Sequence, residues 1–230
     1  MSMINIKSIT RILREGGVNW IKTIYFNFHY LKFTQAIFFP ILIYRNTKLS
    51  RMDGNVVVDE NIKWGGVRIG QYGVGTLDVK YNRTIWQNAG TVVFLGKAHI
   101  GSGSKLSINN GGMLVFGDDF CITGGSQIIC SKEISFGKGC LLSWDILIMD
   151  TDFHNVITAD GEIINPPKAI KIGDRVWIGC RNLILKGVNI SNDVVIGASS
   201  KITKNIDTPN CIVGGVDKQY IIKNNIYWKA

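Results

Sequence analysis

The sequence predicts an all-β protein, a parallel β-helix of six-residue repeats, and three observations carry that reading. Aliphatic residues recur at every sixth position from Ile172 through Ile178, Ile184, Ile190 and Ile196 to Ile202. Glycine directly follows several of them, at Gly173, Gly179 and Gly197. The 230 residues hold 26 glycines but only 4 prolines. A period of six matches neither the roughly 3.6 of a helix nor the 2 of an ordinary strand. It suits a chain that makes a short strand, turns a corner and repeats, so that each aliphatic side chain enters a narrow interior and stacks on its equivalent one coil away. Glycine or a small polar residue serves the corners, where positive φ is needed.

The rhythm extends upstream with slips. Phe94, Ile100 and Leu106 form one run, and Phe116, Ile122, Ile128, Ile134, Cys140 and Ile146 form another. The slip falls at residues 109–112 (NNGG), which read as an enlarged turn. Residues 56–91 are less regular and accommodate a first imperfect coil and a loop. The expected division is an N-terminal cap over residues 1–55, the β-helix over 56–216, and a tail over 217–230 that is a short helix or a strand. Within the cap, residues 4–14 suit a short amphipathic helix with Lys7, Arg11 and Arg14 on its polar side. Residues 19–30 (NWIKTIYFNFHY) are ambiguous between helix and strand.

Between Ile148 and Ile172 the repeat is interrupted by MDTDFHNVITADGEIINPPKAIK. The stretch is polar and contains Pro166–Pro167, so residues 149–171 are expected to leave the helix body as one long excursion loop. A solenoid places function in such insertions. Of the three histidines, His29, His99 and His154, only His154 lies there, within DTDFHN.

Composition narrows the classes. A net charge of +9 suits a basic soluble surface, a polyphosphate-bearing ligand, an anionic glycan or an anionic membrane. No basic run with interleaved aromatics points to nucleic acid. The five cysteines form no CxxC pair, so no metal site or disulfide framework is expected. Free thiols and no recognisable signal segment point to a cytoplasmic protein. The most apolar stretch, residues 34–44 (TQAIFFPILIY), falls short of the roughly 18 apolar residues a spanning helix needs. It reads as a buried packing segment or as a surface resting on the inner face of a membrane.

Residues 171–206 (KIGDRVWIGCRNLILKGVNISNDVVIGASSKITKNI) and 212–216 (IVGGV) resemble the hexapeptide-repeat acyltransferases. The resemblance is to the sugar and polysaccharide O-acetyltransferases related to maltose and galactoside acetyltransferases, and it covers roughly residues 90–222. Residues 27–44 are similar to the leader of some capsule-type acetyltransferases. The resemblance implies a left-handed coil, against the usual right-handed rule for parallel crossovers. It also implies a homotrimer, acetyl-CoA as acyl donor in the groove between subunits, no metal, and a catalytic histidine on the extended loop.

On that resemblance His154 is the general base that takes a proton from a sugar hydroxyl as it attacks a thioester. Asp152, or else Asp150 or a backbone carbonyl, holds the other ring nitrogen. The cofactor-lining positions carried over are Trp177 and Cys180 from VWIGC, Ala198 and Ser199 from IGASS, and Thr203 and Lys204 from the ITK segment, with Lys201 and Lys218 as further cations for a phosphate. Where relatives read GGNPAKVI, this chain reads GGVDKQYI, which alters the path of the tail. The expected activity is acetyl-CoA-dependent O-acetylation of a sugar of a surface polysaccharide or its precursor. The alternative is N-acylation of an amino sugar or a nucleotide-linked amino sugar, which the same base would serve. A zinc hydratase on the same β-helix needs three histidines from adjacent coils, and only His99 and His154 lie in the repeat region. A non-catalytic scaffold would not need His154 beside the VWIG segment.

Overall fold

The computed structural model describes residues 17–71 and 73–229. The helix expected over residues 4–14 lies outside them. The chain winds as a three-faced prism, with parallel sheets of nine, seven and six strands among the described residues; the ninth strand of the first sheet, Tyr220–Asn224, is antiparallel. A representative coil places Ala98–Gly101 on the first face, Lys105–Ile108 on the second and Met113–Phe116 on the third.

The rhythm of six is explained by this geometry. Ile178 lies on the first face, Ile184 on the second and Ile190 on the third, and three such steps close one coil. The partners one coil away are Ile196 for Ile178, Ile202 for Ile184 and Ile172 for Ile190. Ile178, Ile184, Ile196 and Ile202 are fully buried. Each is worth roughly 1.5–3 kcal/mol of burial. Aromatic side chains continue one column of the third face. The rings of Phe94 and Phe116 stack at 5.2 Å and those of Phe116 and Phe136 at 5.8 Å, close to the spacing of the strands that carry them.

The corners need left-handed backbone. Between the first and second faces it is supplied by Gly103, Gly125, Asp145, Arg181 and Ser199, with φ of 76°, 63°, 57°, 58° and 56°. Arginine was not expected at such a corner, but an exposed side chain costs only the modest left-handed penalty of about 1–2 kcal/mol. The slip at residues 109–112 is the corner between Lys105–Ile108 and Met113–Phe116, with Gly111 at φ 79°.

The first coil begins at Ile41, inside the stretch expected to be cap. Ile41–Ile43 pairs with Val67–Ile69, and Thr47–Met52 pairs with Thr84–Asn88. The repeat is hard to read there because each corner has a different length. A second, shorter excursion, described over residues 73–83, lies between Val67–Gln71 and Thr84–Asn88.

Ahead of this coil lie helix α1 (Trp20–Tyr30) and the single turn α2 (Phe33–Ala36). Asn19 opens α1 by accepting the Lys22 N–H. Phe26 and Tyr30 pack on Trp86, whose indole N–H donates to the Tyr30 hydroxyl at 3.2 Å. At the other end the tail is a strand, Tyr220–Asn224, antiparallel to Cys211–Gly214. All five cysteines are free, with Cys130, Cys140 and Cys211 buried. Burial pushes the Cys140 thiol up to about 12 and the Cys121 thiol up to about 11.

Candidate functional site

The long excursion leaves the second face after Leu147–Met149 and rejoins the third at Ile170–Ile172. Its first residue, Asp150, follows in register on Cys130, in a column that holds Ile108 and Asn88 in the coils before it. Asp150 is fully buried, and its carboxylate is turned to the neighbouring corner. It accepts the backbone N–H groups of Ser131, Lys132 and Glu133 at 2.7, 2.8 and 2.8 Å. The Cys130 thiol points at the same carboxylate, and burial followed by that charge pushes its pKa up. The backbone closes the base of the loop, with Lys168 N–H donating to the Asp150 carbonyl at 3.0 Å. Asp150 is thereby committed to the fold and cannot orient His154.

Above this base a polar network shapes the loop. The Asp152 carboxylate accepts Lys186 Nζ at 2.5 Å and Asn165 Nδ2 at 2.9 Å. Lys186 Nζ also donates to the Asn165 carbonyl at 2.7 Å, and Asn165 Nδ2 donates to the His154 carbonyl at 2.9 Å. The Lys186 hydrogen bond, then that of Asn165, holds the Asp152 carboxyl below the usual carboxylate range. Phe153 takes a left-handed φ of 61°, and its N–H donates to Thr151 Oγ1. A short bridge, Ile157 to Ile163, makes the outer part a hairpin.

His154 is exposed on this loop. The expected Asp152–imidazole pair is not formed within the chain. Asp152 is taken by Lys186 and Asn165, and its backbone carbonyl receives the His154 N–H at 2.7 Å. Among the described residues the His154 ring has no hydrogen-bond partner. Sequence reasoning missed Lys186 and Asn165. Lys186 sits in NLILKGVNI and reads as an ordinary exposed corner of the repeat, so nothing local marks it.

The positions expected to line a cofactor divide into two groups. Trp177 points outward from the first face, 37% exposed, with its indole N–H on Ser143 Oγ at 3.3 Å. The Trp228 ring lies 5.9 Å away, so the tail covers part of the surface that Trp177 presents. Cys180 and Ser199 occupy stacked corners between the first and second faces, with Ser199 N–H on the Cys180 carbonyl at 2.9 Å. Ala198 is exposed beside them. Thr203 and Lys204 instead follow Lys201–Ile202, at the corner between the second and third faces. Their N–H groups face the Gln219 side-chain oxygen at 3.4 and 3.2 Å, which is how the altered tail sequence braces that corner. Thr203 and Lys204 therefore share an edge with Lys186 and the excursion. Trp177, Cys180, Ala198 and Ser199 lie on or toward the opposite edge of the second face.

Among the described residues no group of three or more His, Cys, Asp and Glu could hold a metal ion, and no helix is long and apolar enough to cross a membrane.

No family model matches the chain. Over 56 residues it is 43% identical to the polysialic acid O-acetyltransferase of Neisseria meningitidis; the match covers 24% of this chain and 26% of that protein. The aligned part thus spans about a quarter of the curated relative's length. Among solved structures, the polysialic-acid-specific acetyltransferase NeuO superposes with a TM-score of 0.53 at 20% identity, over 83% of this chain and 79% of that one. The polysialic acid O-acetyltransferase OatWY aligns with a TM-score of 0.49 at 23% identity, over 81% and 89%. At 20% identity the NeuO likeness is one of fold, and the chain shares that left-handed β-helix. Repeat rhythm and parallel prism are those of the left-handed β-helix that NeuO shares, and a segment of 56 residues is similar to a polysialic acid O-acetyltransferase.

Proposed function

We propose that the chain is an acetyl-CoA-dependent O-acetyltransferase acting on a sugar of a surface polysaccharide or its precursor, and that it works as a homotrimer. The observation that carries this reading is the division of the site across the second face. His154 stands at one edge, and Trp177, Cys180, Ala198 and Ser199 lie toward the other. Two copies set side by side bring one copy's loop to the next copy's corner. Exposed apolar side chains on the loop support such a contact: Phe153, Val156, Ile157 and Ile164 are each more than half exposed.

In that groove the donor thioester lies along the Trp177 and Ser199 side, while Lys204 of the loop-bearing edge and Lys201 of the second face offer charge to its phosphates. The His154 imidazole takes the acceptor hydroxyl proton as that oxygen bonds to the thioester carbonyl carbon. The tetrahedral intermediate then expels the thiolate, and the imidazolium returns the proton to sulfur. Asp152 is a positioning residue, since its carboxylate ties the loop to Lys186 and Asn165. The name of the curated relative makes polysialic acid the first acceptor to test.

The experiment measures thiol release from acetyl-CoA together with the mass gain of one acetyl group on the acceptor. His154→Ala is expected to lower kcat on the order of 10²–10⁴-fold, the usual worth of a positioned base. Full activity in that variant, or full activity from a monomer in light scattering, would overturn the reading.

A further inference from the structure

Helix α1 is inside out. The residues it turns to the protein include Thr23 and Asn27, which stand in for the strand missing beyond Ile41–Ile43. Asn27 Nδ2 donates to the Ile41 carbonyl at 2.7 Å, and the Ile41 N–H returns to Asn27 Oδ1 at 3.3 Å. The Ile43 N–H donates to Thr23 Oγ1 at 3.0 Å. This satisfies an otherwise exposed sheet edge. The consequence is that the apolar stripe of the helix, Ile21, Ile24, Tyr25 and Phe28, faces away from the protein at exposures of 83%, 46%, 54% and 42%. Their spacing is that of a single helix face. Phe33 and Phe38 extend it, at 71% and 60%.

The charge around this face is mostly positive, the exception being Glu60, which lies beside Lys32, Phe38 and Lys63. Residues 17–50 contain Lys22, Lys32, Arg45 and Lys48 and no Asp or Glu. Lys32, Arg45 and Lys48 are exposed, whereas Lys22 reaches back to the Thr47 carbonyl. The next carboxylate, Asp53, is paired with Arg51 at 2.6 Å. A second copy laid face to face would set cations against cations. An anionic surface would meet them favourably and receive the apolar stripe.

We propose that the capped end of the prism docks on the surface of an anionic lipid bilayer, with the α1 stripe and Phe33 and Phe38 seated among the headgroups. The full-length protein is sedimented with vesicles of phosphatidylcholine alone and with vesicles that also contain phosphatidylglycerol. At low salt, binding to the anionic vesicles is expected to exceed binding to the neutral ones at least tenfold and to fall as salt rises. The combined variant Ile21→Ser, Phe28→Ser, Phe33→Ser and Phe38→Ser leaves Phe26, Thr23 and Asn27 in place, so it keeps the fold, shown by an unchanged thermal melt. It is expected to lose vesicle binding at least tenfold. Equal sedimentation with both vesicles, none with either, or undiminished binding by the folded variant would each overturn the proposal. So would a mass in solution that grows with concentration in wild type, not in the variant, without vesicle binding; that result would assign the face to a second copy.

Discussion

Two excursions leave the same prism and are held in opposite ways. Residues 73–83 fold back over the first face, where apolar side chains cover the backbone. A Cβ built on Gly124 would stand 2.7 Å from Leu77 Cδ1, and one on Gly73 would stand 2.2 Å from the Thr123 carbonyl oxygen. Residues 150–169 are pinned at their base by a buried carboxylate and a lysine, while Phe153, Ile157 and Ile164 stay exposed. The first loop seats Val74 and Leu77 on the prism and leaves Val79 and Tyr81 exposed. The second has a rigid foot and an uncovered apolar tip, the arrangement expected of a segment that finishes its packing against something outside the chain.

The sharpest way to break this contrast is Asp150→Ala. It strands the N–H groups of Ser131, Lys132 and Glu133 in a part-buried corner, at about 1 kcal/mol for each lost partner. A loss of about 3 kcal/mol or more is expected in urea unfolding. A loss below about 1 kcal/mol would show that Asp150 does not pin the loop.

Lys186→Met comes next. It frees Asp152 without opening a cavity and is expected to lower transfer activity about tenfold, with the global unfolding midpoint nearly unchanged. Its pH signature is specific. Because Lys186 and Asn165 hold the Asp152 carboxyl below its ordinary range, the tie is complete above that range and is lost as pH falls through the lowered value. Proteolytic cutting within residues 150–169 should therefore rise with acid in wild type. It should already be high at neutral pH in Lys186→Met.

The smallest effect sharpens the other side. Leu77→Ala is expected to cost about 1 kcal/mol, because the side chain is only partly buried, and to leave transfer activity intact. A marked loss of activity would show that the shorter excursion also serves the site.

Much of this was legible before any fold was known. The run from Ile172 to Ile202 foretold the prism and its stacked columns, because one apolar residue per face is a local, repeating demand. The break after Ile148 marked the long excursion to within a residue or two. The six positions expected to line a cofactor came from likeness alone, and their division between two edges had no local sign. Helix α1 resisted reading because its polar residues turn inward, contrary to the usual pattern. Asp150 and Asp152 look interchangeable in MDTDFH, yet their partners lie far off in the chain, at residues 131–133 and at Lys186.

By itself the sequence determined the period, the corners and the place where the chain departs from the prism, since each follows from the side chains of a few neighbouring residues. Tertiary structure alone decided which carboxylate is buried and which is paired with lysine, which face of α1 meets the protein, and how the candidate site divides. Those outcomes depend on what the next coil presents across a strand spacing of about 4.8 Å, a neighbour distant in sequence and adjacent only in space.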